Sequence, residues 1–411
     1  MKKRKKRIVS VVIMAMLCML CAFVLPKDAK ASGDFVVRDG VLLEYTGNSS
    51  SISIPGNVKK IGASVFEGNN NITYVFVPAS VTKIGAEAFS GCSNLRTIAG
   101  GSNLKEIELK AFFECSSLQN VSFSGTITRI GDRAFSNCSA LKTANFSSKL
   151  EKIGVAAFAN CRSLTNVNIA SNCKIQLIRR YTFQNCSSLQ TFSVPDNVEG
   201  INKYAFYGCK KLSNVFVGKS VKAIAEYVFS DCTSLRVVRF GNALENIGAY
   251  AFSNAGLQEL SLPKKITTID RSAFENCKQL RKIAMGNKVK RIEGRAFAGC
   301  NRLYSVQFSK KLKEISENAF RGCSNLKTIQ FPKKLNEIGY SAFKSSGLVQ
   351  VTIPENVWSV GALAFSNCNN MTTFIVRGNV LMGSNLCANN AKLTNVKIYG
   401  NNVVSSGMFQ N

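Results

Sequence analysis

Fifteen of the 411 residues are cysteine and none is histidine, and these two counts bound the chemistry the chain can perform. A thiol can act as a nucleophile, a soft-metal ligand or a disulfide partner. Histidine is the usual general base and the commonest metal ligand near neutral pH, so its absence removes Ser-His-Asp, Cys-His and most zinc-hydrolase arrangements. Carboxylate pairs and Ser-Lys dyads remain. Eleven cysteines, Cys92, Cys115, Cys138, Cys161, Cys186, Cys209, Cys232, Cys277, Cys300, Cys323 and Cys368, each follow a phenylalanine by three residues. Ligands in a single file cannot surround a tetrahedral ion, so no metal site is expected. No catalytic residue and no cofactor is expected either.

The substitutions within that column say what it is for. Ala255 and Ser346 replace the thiol, and Asn69 and Asn390 hold the same slot near the two ends. A slot that accepts Cys, Ala, Ser or Asn calls for a small buried side chain able to satisfy backbone groups. Adjacent slots would lie about 5 Å apart, which permits a disulfide by distance. Parallel side chains along one row meet the disulfide torsion poorly, so a reduced, buried thiol row is the expectation. Cys387 fills a core slot. Cys173 sits in the one lengthened turn and is expected to be exposed, the best candidate for oxidation or intermolecular pairing.

Charge supplies the second set of candidates. Between Lys264 and Lys334 the chain carries eighteen Lys/Arg against five Asp/Glu. Lys265, Lys288, Lys311 and Lys334 recur at intervals of 23 residues, flanked by Lys264, Lys310 and Lys333. Stacked at about 5 Å, like charges repel unless solvent or an anion screens them. The row therefore reads either as splayed, solvated side chains or as the seat of a linear anionic polymer. Trp358, the only tryptophan, occupies a solvent-leaning position and is either a partner anchor or a cover for a neighbouring coil.

These positions are ordered by an internal repeat. The phenylalanines Phe66, Phe89, Phe112, Phe135, Phe158, Phe183, Phe206, Phe229, Phe252, Phe274, Phe297, Phe320, Phe343 and Phe365 fall 23 residues apart, save one interval of 25 and two of 22. Cys387 takes the next slot, and Phe409 opens a further coil. Each unit reads L-x-x-I-x-I-(P)-x-x-V-x-x-I-G-x-x-A-F-x-x-C-x-x. Apolar residues two apart, as Val167 and Ile169, mark a short strand. Proline or a small residue ends it, V-x-x-I-G turns the chain, and A-F-x-x-C returns it. One coil exposes both flat faces, so only a stack is stable, and each column becomes a spatial row. The outward strand positions, among them Thr97, Asn120 and Asn214, are mostly small or β-compatible, with Phe216 and Ile375 as apolar exceptions.

The recurring A-F-x-x-C-x-x-L signature, covering about Gly33 to Asn411, resembles the BspA-like, Treponema-type leucine-rich repeats of secreted and surface bacterial proteins. The resemblance implies a right-handed, β-rich leucine-rich-repeat solenoid of about fifteen coils, with a parallel strand face and short turns or helical turns opposite. DFVVRDGVLLEYTGN is similar to the family's capping segment, in which a short β element covers the first coil. It also implies binding duties in adhesion, host-protein contact or bacterial aggregation, and no catalytic residues.

The domain plan follows. Residues 1–31 read as a signal peptide: six Lys/Arg, an apolar run from Ile8 to Leu25, and Ala29-Lys30-Ala31 before a cut ahead of Ser32. An uncleaved membrane anchor is the rival reading, because eighteen apolar residues reach the lower limit for a span. Residues 32–57 form the capping segment and first strand, 58–376 the regular repeats, and 377–411 a decayed repeat with an uncapped end. After cleavage 45 basic and 23 acidic residues remain, a net charge of +22. The expected protein is secreted, either free or associated non-covalently with the cell surface, and monomeric or weakly associating end to end. It presents its surface to a protein or an anionic glycan or wall polymer, not to nucleic acid and without membrane insertion.

Overall fold

The computed structural model describes residues 33–121, 123, 126–404 and 407–410; the proposed signal peptide lies outside them. Strand Phe35–Arg38 (β1) pairs antiparallel with Val41–Tyr45 (β2), and β2 continues parallel onto Lys60–Ile61 of the first coil. The amphipathic opening segment thus presents Leu42 inward, fully buried, and covers the flat end of the stack, where an open edge would otherwise expose unpaired backbone.

Most following coils contribute to two parallel ladders; the coil of Thr328 to Phe331 contributes only to the second. The L-x-x-I-x-I segment forms the first, as in Ser51–Ser53, Tyr74–Val77, Thr97–Gly100 and Asn120–Val121. The V-x-x-I-G segment, expected as a turn, contributes a two-residue strand to a second sheet, such as Lys83–Ile84 beside Glu106–Ile107. The reason is geometric: its isoleucine points inward while the residue before it stays in an extended, outward position, so the backbone is free to bond to both neighbours. The second sheet breaks between Ile153 and Leu177 and between Ile247 and Thr268, in the coils of 25 and 22 residues. The 22-residue coil from Phe343 to Phe365 keeps its pairing, so coil length alone does not decide a break.

The return segment contains no helix among the described residues. It is a run of tight turns bonded between coils: Glu87, Phe89 and Gly91 donate their N–H groups to Leu109, Ala111 and Phe113 of the next coil. Two residues of each such segment take positive φ, for example Glu87 at 57° and Gly91 at 72°. The second of these positions is Gly, Asn or Asp in most coils, the residues that tolerate a left-handed backbone. The spine phenylalanines then stack in file, with ring centroids 4.8 Å apart for Phe66 and Phe89 and 5.7 Å apart across the longest coil, Phe158 to Phe183. Parallel stacking in register fixes this spacing, and each ring buries its faces on the next.

Candidate binding surface

The thiol row lies beside this spine. All thirteen described cysteines are free and buried. Each of the eleven in the row donates its S–H to the carbonyl of the spine phenylalanine one coil back, from Cys92 to Phe66 at 2.9 Å through Cys209 to Phe183 at 3.1 Å to Cys323 on Phe297 at 3.3 Å. Asn390 does the same work at its slot, its amide donating to the Phe365 carbonyl at 3.0 Å while its oxygen accepts from the Cys368 N–H at 2.7 Å. Burial pushes the Cys300 thiol up to about 12 and moves Cys186, Cys209 and Cys232 well above their usual value. Protonated, buried and bonded thiols are neither nucleophiles nor ligands at neutral pH. Among the described residues no group of three or more Cys, Asp or Glu side chains could hold a metal ion.

Cys173 corrects an expectation: it is buried, at 4% exposure. The Cys173 N–H closes a turn onto the Ala170 carbonyl, as Val58 does onto Pro55 in a regular coil. The two added residues therefore follow the turn, and Cys173 takes the inward place that valine or leucine holds elsewhere. Its sulfur lies 3.9 Å from the Asn197 carboxamide oxygen.

The lysines lie at the corner where the chain passes from the first sheet to the second. Lys264, Lys265, Lys288, Lys310, Lys311, Lys333 and Lys334 are all exposed. Lys265 does not stand in the open row: its ammonium reaches back to Glu245 at 2.8 Å, and with Lys288 nearby it holds that carboxyl below the usual range. The others have no carboxylate within ion-pair distance among the described residues. Lys290 and Lys313 form a second exposed file, separated from Lys288 and Lys311 by the buried Val289 and Leu312. Their backbones are adjacent, since Lys313 N–H donates to the Lys290 carbonyl at 2.8 Å. This file was readable in the K-V-K and K-L-K triplets but not by following one column. Trp358, 56% exposed, continues the file of Lys290 and Lys313: its N–H donates to the Asn336 carbonyl at 3.0 Å, and the Asn336 N–H to the Lys313 carbonyl at 2.8 Å.

The strand face carries a cation–π pairing within one column: Arg239, 23 residues after Phe216 and its register partner, places its guanidinium 5.4 Å from the Phe216 ring centroid, and Phe216 is 40% exposed. On the return segment, Tyr181, Tyr204, Tyr227 and Tyr250 stack as a second aromatic file outside the phenylalanine spine. Sequence reading missed it, although the tyrosine of Y-T-F, Y-A-F, Y-V-F and Y-A-F recurs at 23 residues.

The model of the BspA-type leucine-rich repeat region matches residues 59–177, 176–304 and 290–411. No curated protein matches the sequence. Among solved structures, a leucine-rich repeat protein from Bacteroides ovatus is 24% identical with a TM-score of 0.69, over 89% of this chain and 94% of that one. This likeness shows the fold. A leucine-rich cell surface protein from Faecalibacterium prausnitzii is 25% identical with a TM-score of 0.47, over 86% and 96%. The pneumococcal vaccine antigen PcpA is 18% identical with a TM-score of 0.41, over 85% and 98%.

Proposed function

The chain belongs to the BspA-type leucine-rich-repeat family, and from that premise we propose that it is an exported, surface-acting binding protein that holds an anionic partner along its lysine corner. The observation that carries this reading is the double file of lysines, in which Lys288, Lys290, Lys311 and Lys313 are exposed on adjacent coils with no carboxylate in ion-pair range among the described residues. A rigid solenoid holds these charges at fixed spacing, so a linear polyanion gains several contacts for one loss of freedom. An acidic surface glycan or an acidic protein meets this adhesin-like requirement. Retention on anionic wall polymers is the second reading, favoured by the length of the array along the solenoid.

The test is cosedimentation with purified wall polymer and with sulfated or carboxylated glycans across a salt series. A four-site variant, with Lys265, Lys288, Lys311 and Lys334 each changed to Glu, is run alongside the parent, and a second variant adds Lys290→Glu and Lys313→Glu. Binding that falls with salt and is lost in the variants supports the reading. Equal binding by parent and variants discards the lysine corner as the site. Retention on wall polymer without glycan binding favours envelope attachment over adhesion.

A further inference from the structure

Both sheets break together at one junction between coils. The first sheet stops at Val237–Arg239 and resumes at Glu259–Ser261, and the second stops at Asn246–Ile247 and resumes at Thr268–Ile269. At the other break of the second sheet, between Ile153 and Leu177, the first stays paired through Thr143–Phe146 and Asn166–Ile169. The main chain shows what is lost. Before the junction Arg236 donates its N–H to Ser213, Glu245 to Lys222, Gly248 to Ile224 and Val217 to Arg239. After it Arg281 donates to Gln258, Lys290 to Thr267, Glu293 to Ile269 and Leu262 to Ala284. Across it the four equivalent bonds, Gln258 to Arg236, Thr267 to Glu245, Asp270 to Ile247 and Phe240 to Ser261, are absent among the described residues.

The return side of the same junction is intact. Tyr250, Phe252 and Asn254 donate to Arg271, Ala273 and Glu275, Phe252 stacks on Phe274 at 5.4 Å, and Cys277 donates its S–H to the Phe252 carbonyl at 3.1 Å. On the parted strand face lies a cleft of about 350 Å³, bordered by Val238, Arg239 and Phe240 on one wall and Glu259, Leu262 and Pro263 on the other. Among the described residues one ion pair crosses the parted side, Lys265 with Glu245 at 2.8 Å.

We propose that the solenoid bends at this junction. Two stiff blocks, one ending at Asn254 and the other beginning at Glu259, turn about the bonded return segment, and the Glu245–Lys265 pair is a latch that limits the opening. A regular junction resists bending because both ladders must break. Here neither ladder has to. Both latch side chains are about half exposed, so the pair biases the hinge rather than locking it, by about two- to fivefold in population. The stacked tyrosines lie in the first block and the lysine corner in the second, so bending re-aims one surface against the other. The hinge stands whether or not the lysine corner binds an anion.

The test is a spin-label distance distribution on the chain lacking residues 1–31. The thirteen described thiols are buried, so introduced surface cysteines take the label. Lys219→Cys with Lys310→Cys spans the junction, and Lys264→Cys with Glu355→Cys spans as many coils inside the second block. The spanning pair gives a broad distribution with a longer-distance component, and the control pair a narrow one. Glu245→Gln or Lys265→Gln raises the longer component about two- to fivefold, the double variant adds nothing further, and the control pair does not respond. A spanning distribution as narrow as the control overturns the hinge, and a longer component indifferent to both latch variants overturns the latch.

Discussion

Raising the pH from about 8 to about 10 should destabilise this protein steeply, through its thiols. Eleven of them, Cys92, Cys138, Cys161, Cys186, Cys209, Cys232, Cys277, Cys300, Cys323, Cys368 and Cys387, are pushed up by burial. For Cys300 the folded value is about 12, against an ordinary 9.0. The folded state therefore keeps a proton that the unfolded chain gives up. The stabilisation is whole below about pH 9 and is lost as the pH climbs toward the folded value. At about pH 10 an unfolded thiol is roughly nine-tenths ionised, so a thiol that stays protonated in the fold, as Cys300 does, contributes a loss on the order of 1 kcal/mol relative to pH 8. Thiols that unfold together add their losses. Solenoids can unfold in blocks, and the loss then scales with the thiols in each block. The assay is urea unfolding followed by far-ultraviolet circular dichroism at three pH values, with a free-thiol count in denaturant. Cys300→Ser should lower the proton release of its block by about one. A flat pH profile, or a slope unaltered by removing thiols, would refute the buried protonated row.

Four further outcomes follow, three from the packing and one from an ion pair. Phe229, fully buried between Phe206 at 5.3 Å and Phe252 at 5.2 Å, should cost about 3–5 kcal/mol when changed to Ala; a loss under about 1 kcal/mol in urea unfolding would deny the spine its continuity. Gly322→Ala should cost only about 1 kcal/mol, because its φ of 75° is the penalty and the nearest atom, the Gly299 Cα, lies 3.7 Å from the added carbon. Gly347→Ala, whose added carbon would land on the Ser324 carbonyl oxygen in the shortened turn, should cost about 3 kcal/mol or more; equal melting of the two glycine variants would contradict the coil spacing. Glu245→Gln should free Lys265 and strengthen polyanion binding in the salt series, and unchanged binding would mean that this lysine lies outside the contact.

Much of the molecule was legible in one dimension, because a period of 23 residues and parallel stacking make each sequence column a row in space. The phenylalanine spine, the slot for small donors and the lysine corner all follow from that rule. The Gly/Asn column before the cysteines records the second left-handed residue of each return segment just as directly. Other features depend on what a neighbouring coil does. Whether V-x-x-I-G bends or pairs is decided by the backbone groups of the coils on either side. Cys173 turns inward because the turn closes before the added residues, not after them. Lys265 leaves its row because Glu245 lies within reach of its side chain. The four tyrosines become a stacked file only once neighbouring coils bring their rings face to face. A repeat specifies which residues share a row, but the direction in which a side chain leaves that row is set by dihedral angles and by the charges and rings it meets in space.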